Sequence, residues 1–365
     1  MSENKLYSKD DEKFMSYALN LTKKHLGQTA PNPVVGCVIV ANGEIISSGV
    51  TAKSGRPHAE KIAIDKAILD KKILKNSTLY VTLEPCSHFG KTPPCVDEII
   101  KHGFKKIVIA TPDSDSRVNG EGIKKLQESG IEVVCGILEK EAREINRGFF
   151  FAREKGRPFV TLKLATSLDG KIATKTFDSK WITGKKARQF SHFLRSINDA
   201  ILVGANTVRY DDPSLDCRIA GLEDFSPKRA IISQSLELNP QAKIFQNCDK
   251  IPTIILTSNR EKKSPSPAAE IIFFDEKKGL KDALEKLCQS GINSLLVEGG
   301  QKVATEFLQQ NLVDELVWIR SRKIIGNDGI AAIGGMNFSK LDEVLTKFQR
   351  QEIKELEEDF AEIYT

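Results

Sequence analysis

Four side chains in the first third of the chain have types and spacing that suit one chemistry. His58 and Glu60 lie in GRPHAEKIAI (55–64), and Cys86 and Cys95 in LEPCSHFGKTPPC (83–95). A catalytic zinc takes three protein ligands and keeps a fourth position for water. His58, Cys86 and Cys95 supply three. Water on such an ion has a pKa of about 7, so hydroxide is available at neutral pH. Glu60 is then free to take the water's proton and pass it to a leaving amine.

The spacing constrains the local structure. Residues i and i+2 do not share a face inside a helix. His58 and Glu60 can therefore address one ion only from a helix's first turn, an entry that Pro57 fits. Pro85 before Cys86 and Pro93-Pro94 before Cys95 predict two more helix starts. A helix N-terminus favours an anion and helps keep a thiol ionised.

The surrounding elements follow from the hydrophobic pattern. A helix opens at Ser8, where Asp11 completes a capping box, carries Phe14, Met15, Ala18 and Leu19 inward, and stops near Gly27. Strands at 34–41 and 44–50 flank Asn42-Gly43, a strong hairpin signal. Then come a helix from His58, a strand at 78–83, a helix at 95–102 and a strand at 105–110. A helix at 120–129, a strand at 131–135 and a single helix from Glu139 to about Glu154 complete this half. Strands alternating with helices predict a layered α/β domain with a mixed sheet. After the polar joint REKGRPFV (153–160), a second α/β series begins. Its strand candidates include PFVTLKLATSLDGKIA, DAILVGA, RAIIS, PTIILTS, EIIFF, NSLLVEGG and DELVWIRS. Its helices include GKKARQFSHFLRSI, LKDALEKLCQSG and KVATEFLQQ.

With 365 residues the chain exceeds what one core usually serves. Two domains are expected, 1–150 and 151–365. A net charge of +5 and 7% aromatics offer neither a basic groove nor stacking platforms, so no nucleic-acid partner is expected. No apolar run nears the roughly 20 residues of a membrane span, and the first residues have no signal-peptide pattern. The expected compartment is the cytoplasm. Seven scattered cysteines do not suggest a disulfide framework. Cys37, Cys135 and Cys288 sit in apolar patterns and read as small core residues.

His-x-Glu with a later Pro-Cys-x-x-Cys marks the zinc nucleobase deaminases. This chain departs from that pattern, with eight residues between its cysteines. Here it resembles the bifunctional deaminase–reductase family of riboflavin biosynthesis. The likeness rests on PCSHFGKTPPC (85–95), PNPVVG (31–36) and GRPHAE (55–60), and in the second half on SLDGKIAT, KWITG, LRS…DAILVGANTVRYDDPSLDCR and LLVEGG. It covers essentially the whole chain. Lys91 stands where arginine is commoner, which keeps the charge but weakens any bidentate phosphate contact. TPDSDSRVNG (111–120) departs from the family's usual wording.

The resemblance implies a cytidine-deaminase-like zinc domain followed by a dihydrofolate-reductase-like domain that uses NADPH. Asn32 and His88 would line the pyrimidine pocket. Ala165, Trp181, Thr207 and Asp211 would contact the nucleotide, with the helix start from Gly300 through Gln301, Lys302, Val303, Ala304, Thr305 and Glu306 to Phe307. Ser179, Arg195, Leu215, Arg218 and Glu298 would hold the ribosyl phosphate. The implied substrate is a small pyrimidine ribosyl phosphate, handled by a homo-oligomer with one zinc per chain. It would lose its 2-amino group and then be reduced to the ribityl compound.

Each residue also has a plainer reading. Asn32 serves equally as a turn residue, and His88 as an exposed loop histidine. Trp181 serves as core, Asp211 and Asp212 as helix-end charges, Arg195 as a surface charge, and Asp169 as a turn former. Glu298-Gly299-Gly300, between a strand and a helix, is a weak phosphate signal without a G-x-G-x-x-G fingerprint. Two other functions compete. One is a nucleic-acid base deaminase. The other is a structural zinc site beside a binding module, which requires a fourth ligand such as His88.

Overall fold

A computed structural model of the chain describes residues 7–89, 93–114 and 120–365. It forms two compact units, one ending at Lys155 and one beginning at Gly156.

The first unit contains α1 (Lys9–Thr22), β1 (Gly36–Ala41), β2 (Glu44–Val50), α2 (Ala59–Leu69) and β3 (Thr78–Val81). These are followed by α3 (Cys95–Lys101), β4 (Lys106–Ile109), α4 (Glu121–Glu128), β5 (Glu132–Cys135), α5 (Glu139–Ile145) and α6 (Arg147–Lys155). The strand order is β2-β1-β3-β4-β5. β1 runs antiparallel to β2 and β3, while β3, β4 and β5 are parallel. The expected mixed sheet is therefore present. Alternation along each strand splits the core between its two faces. Val38, Val40, Tyr80 and Val108 pack with Phe14, Met15 and Ala18 of α1. Cys37, Ile39, Leu79, Val81, Ile107 and Ile109 pack with Ala63 and Ile64 of α2, Ile99 of α3 and Leu126 of α4.

Local signals account for much of this unit. Ser8 and Asp11 form both capping-box bonds, each 3.1 Å. Asn42 and Gly43 turn the hairpin with φ of 51° and 80°. The single helix expected over 139–154 is instead two, α5 and α6, broken at Asn146. Its side chain is buried, accepts from the Val34 N–H and donates to the Val34 carbonyl, both at 2.9 Å. That pair of long-range bonds prevails over helical continuity. Cys37 is buried as expected, but Cys135 is exposed and Cys288 only partly buried. Cys135 ends the edge strand β5, where one side of the sheet has no further strand to cover it.

The second unit contains β6 (Phe159–Thr166), β7 (Lys171–Ala173), α7 (Lys185–Ser196), β8 (Ala200–Gly204), α8 (Ala205–Asp211) and β9 (Lys228–Ile232). It continues with β10 (Thr253–Thr257), β11 (Glu270–Phe273), α9 (Leu280–Gln289), β12 (Ser294–Val297), α10 (Gln301–Gln309) and β13 (Glu315–Arg320). The last elements are β14 (Ile330–Ala331), β15 (Arg350–Leu356) and β16 (Asp359–Tyr364). Nine strands order as β11-β10-β9-β8-β12-β6-β13-β16-β15, and β14 pairs with β7 apart from them. All pairings from β11 to β13 are parallel, and the β15–β16 hairpin adds antiparallel. Parallel strands covered on both faces read as unbroken apolar runs, as AILVG does. One face packs on Leu284 of α9 and Phe307 of α10, the other on Leu194 of α7 and Val208 of α8.

Candidate active sites

The candidate zinc constellation draws its cysteines from the chain that follows β3, the central strand of the first sheet, and its histidine from the start of α2. His58 is the N-cap of α2, so Glu60 falls in its first turn, as the two-residue spacing requires. Pro57 lies one place before that N-cap, at the entry to the helix. Its carbonyl accepts from Ala52 N–H at 3.1 Å. Cys95 opens α3 after Pro94. Cys86 does not start a helix and lies in irregular chain after β3. The Cys95 N–H points at its sulfur, 3.3 Å away, and the Val96 N–H bonds its carbonyl. Those contacts fix the residue without a helix.

His58 Nδ1 lies 3.6 Å from Cys86 Sγ and 3.3 Å from Cys95 Sγ. All three ligand atoms lie within 4.8 Å of one another. Ligands about 2.0–2.3 Å from a tetrahedral zinc stand roughly 3.5–4 Å apart, so one nitrogen and two sulfurs fit that ion. Among the described residues no fourth histidine, cysteine or carboxylate joins the group. Three protein ligands leave one tetrahedral position for water, as catalytic zinc sites do. The Cys95 thiol's hydrogen bond pulls the Cys86 thiol down to about 4, and Cys95 in turn is pushed up. Burial, with the Cys86 charge adding to it, pushes Glu60 up to about 7.

Two further side chains belong to the segments that carry these ligands or contact them. Asn32 donates through Nδ2 to the Gly55 carbonyl at 2.9 Å, three residues before His58. Gly55 has φ of +83°, and a Cβ there would stand 2.2 Å from Asn32 Nδ2. His88, two residues after Cys86, has a buried Nδ1 without a hydrogen-bond partner. Lys91 and residues 115–119 of the 111–120 loop lie outside the described residues. Sequence reasoning missed Glu84. This buried carboxylate accepts from the N–H groups of Asp113, Gly120, Gly122 and Ile123 at 2.9–3.2 Å. It ties the chain just before Cys86 to the N-terminus of α4. An acid at the end of an apolar run, directly before Pro85-Cys86, was the available signal.

In the second unit the polar groups gather at the carboxyl ends of β6, β12 and β8, where ligands bind in open parallel sheets. Glu298 follows β12 and accepts from Arg195 Nε at 2.8 Å and Nη2 at 3.0 Å. Lys163 of β6 lies 3.5 Å from the same carboxylate. Burial would raise Glu298, but the Arg195 and Lys163 charges outweigh it and hold the group down at about 2. Arg195 Nη1 also donates to the Asp216 carbonyl. Arg195 is thus no surface charge. Lys163 was missed, although a lysine amid TLKLA is conspicuous. Leu215 is buried with φ of 53°. Arg218 is exposed and ion-pairs with Asp216 at 3.3 Å.

The proposed nucleotide contacts divide into two groups. α8 and α10 begin side by side: a Cβ on Gly300 would stand 3.8 Å from Thr207 Oγ1. A Cβ on Gly204 or Gly299 would come within 2.8 or 2.7 Å of the Val303 side chain. α10 has no side-chain cap, so the N–H groups of Gln301, Lys302 and Val303 face outward without helical partners. Ala304 and Phe307 instead fill the core. The Thr305 hydroxyl donates to the Gln301 carbonyl and accepts from Gly334 N–H. Glu306 bonds Gln310. Asp211 is pushed up by burial, with Lys180 and a Ser179 hydrogen bond opposing. Trp181 is exposed beneath the Arg188 guanidinium, 4.6 Å from the ring centre, and Ala165 is partly buried in β6. Asp169 does shape its turn, accepting from the Ser167 hydroxyl and from Ile325 and Gly326 N–H.

The model of the cytidine and deoxycytidylate deaminase zinc-binding region matches residues 8–111, and that of the RibD C-terminal domain residues 158–361. The riboflavin biosynthesis protein RibD of Aquifex aeolicus is 42% identical over 96% of this chain and 97% of its own. The chain belongs to the RibD family. RibD of Escherichia coli is 36% identical over 89% of this chain and 92% of its own. A Thermotoga maritima crystal structure, described as a diaminohydroxyphosphoribosylaminopyrimidine deaminase/5-amino-6-(5-phosphoribosylamino)uracil reductase, is 39% identical. It superposes with a TM-score of 0.88 over 97% of this chain and 98% of that one. As a RibD, the chain is a bifunctional deaminase and reductase of riboflavin biosynthesis, with a zinc-binding deaminase domain and an NADPH-using reductase domain. Among the described residues no helix is long and apolar enough to cross a membrane.

Proposed function

We propose that the first unit hydrolyses the 2-amino group of 2,5-diamino-6-ribosylamino-4(3H)-pyrimidinone 5′-phosphate. The second unit then reduces the ribosyl chain, giving 5-amino-6-(5-phosphoribitylamino)uracil. The convergence of His58, Cys86 and Cys95 beside Glu60 carries the assignment. These three would hold zinc, which when bound acts as a Lewis acid and makes water a nucleophile at neutral pH. Water adds to ring C2 and ammonia leaves. Glu60 takes a proton on a carboxylate oxygen and returns it to the departing nitrogen. A buried carboxyl poised near neutrality suits both directions of that transfer. Asn32, its amide N–H committed to Gly55, keeps Oδ1 to accept from the pyrimidine. His88 offers its unpartnered Nδ1 to the same ring.

In the second unit NADPH, when bound, supplies the hydride. The open first turn of α10, with Thr207, would receive its phosphates, and Ala165, Trp181 and Asp211 would flank it. Arg195 spends three of its five N–H groups on Glu298 and Asp216. The substrate phosphate therefore rests chiefly on Arg218, with Ser179, Leu215 and Glu298 lining the ribosyl chain.

The test follows ammonia release and NADPH oxidation together. Native protein should do both from the diaminopyrimidine. Glu60→Gln should do neither, yet oxidise NADPH when given the deaminated ribosylaminouracil phosphate. NADPH oxidation by native protein without ammonia would overturn the assignment.

A further inference from the structure

His192 and Arg195 lie one turn apart on α7 and reach the same carbonyl. His192 Nδ1 is 3.1 Å from Asp216 O, and Arg195 Nη1 is also 3.1 Å from it. The other imidazole nitrogen, Nε2, is 3.3 Å from Arg218 Nη2. The Arg218 main-chain N–H approaches His192 Nδ1 at 3.2 Å. A neutral imidazole has one N–H and one lone pair. With the proton on Nδ1 it donates to Asp216 O, and Nε2 accepts from the guanidinium. With the proton on Nε2, N–H would face N–H across 3.3 Å. The first tautomer satisfies two of the three contacts, leaving only the Arg218 main-chain N–H facing Nδ1–H, whereas the second satisfies that one alone.

We infer that His192 is a positioning residue for the reductase: it clamps the 216–218 loop and holds the Arg218 guanidinium towards the substrate phosphate. The inference rests on Arg218 binding that phosphate, as proposed above. Among the described residues the Arg218 guanidinium otherwise meets Asp216, and its side chain is 59% exposed. A free arginine there would lose much side-chain entropy on binding. A histidine acceptor fixes its direction beforehand. The groups facing His192 are Arg195 on its own helix, Arg218 and Asp216 on the loop, and Glu298 after β12. Burial, then the Arg195 and Arg218 charges, lower its pKa and favour the neutral ring. Protonation would put a second N–H against Arg218 and release it.

The experiment measures reductase kcat and KM for the ribosylaminouracil phosphate, with NADPH saturating, in native protein, His192→Ala, His192→Gln and Arg218→Gln. Thermal unfolding is recorded for each. Glutamine can place its amide oxygen where Nε2 lies. His192→Ala should raise KM about tenfold with kcat within about threefold, leaving KM for NADPH unchanged. His192→Gln should recover most of the KM. As pH falls below the ordinary histidine value of 6.5, the native KM should climb more steeply than that of His192→Gln, which has no imidazole to protonate. If Arg218→Gln raises KM while both His192 variants keep the native value and pH profile, the inference is overturned alone. An unchanged KM in Arg218→Gln overturns the phosphate assignment beneath it. If His192→Ala does not fold, His192→Gln and its pH profile decide.

Discussion

Arg195 and Glu298 lie 103 residues apart in sequence yet meet through two hydrogen bonds of 2.8 and 3.0 Å. Lys163 adds a second cation to the carboxylate. Glu298 is held at about 2 instead of its ordinary 4.5. A lowered carboxyl stabilises the fold fully above its unfolded value and loses that effect as pH falls through its folded value. The window here runs from 4.5 down to about 2. The contribution at neutral pH is about 3 kcal/mol. Urea unfolding of native protein and Glu298→Gln should therefore differ most at pH 7, and by less than half as much at pH 3. A constant difference would contradict the pairing.

Metal removal should separate the two activities. A chelator, or Cys86→Ser, should abolish ammonia release while NADPH oxidation on the deaminated substrate persists. Glu60→Gln should retain zinc by elemental analysis yet lose roughly 10²–10⁴-fold in deamination. Zinc loss in Glu60→Gln would make that carboxylate a ligand after all.

Gly55→Ala tests Asn32 without touching it. The new Cβ would stand 2.2 Å from Asn32 Nδ2, at a φ of +83° that alanine tolerates poorly. Deamination should drop at least tenfold (roughly 1.4 kcal/mol in the barrier) with zinc content unchanged. Native deamination would relegate Asn32 to a turn residue.

Asn146→Ala should destabilise the first unit. It leaves the Val34 N–H and carbonyl buried without their 2.9 Å partners, costing roughly 2–4 kcal/mol. Calorimetry should register the loss, and activity of the second unit should survive it.

Local chemistry carried the sequence furthest. Ser8 with Asp11, and Asn42 with Gly43, act within a few residues, and the structure keeps both devices. The candidate zinc ligands were legible because His58 stands two residues before Glu60 and Cys86 and Cys95 each follow a proline, a combination that packing does not call for. The failures needed a distant partner. The break at Asn146 depends on Val34, 112 residues earlier. Arg195 looks like a helix-surface charge until Glu298 is brought beneath it. The hairpin of β15 and β16 escaped notice because RQEIKEL is an exposed, charged edge strand with little apolar alternation to mark it.

The close packing of Val303 against Gly204 and Gly299 bears on redesign of this enzyme. At both positions a single added methyl would collide with that valine at under 3 Å. The gap in which α10 offers its N–H groups is thus set by two missing carbons, one at the end of β8 and one after β12. Under the proposed nucleotide assignment, substituting either glycine would prise the helix away before it changed selectivity. Lys302, exposed in the same first turn, can exchange charge and length without moving the backbone, and mutant libraries should begin there.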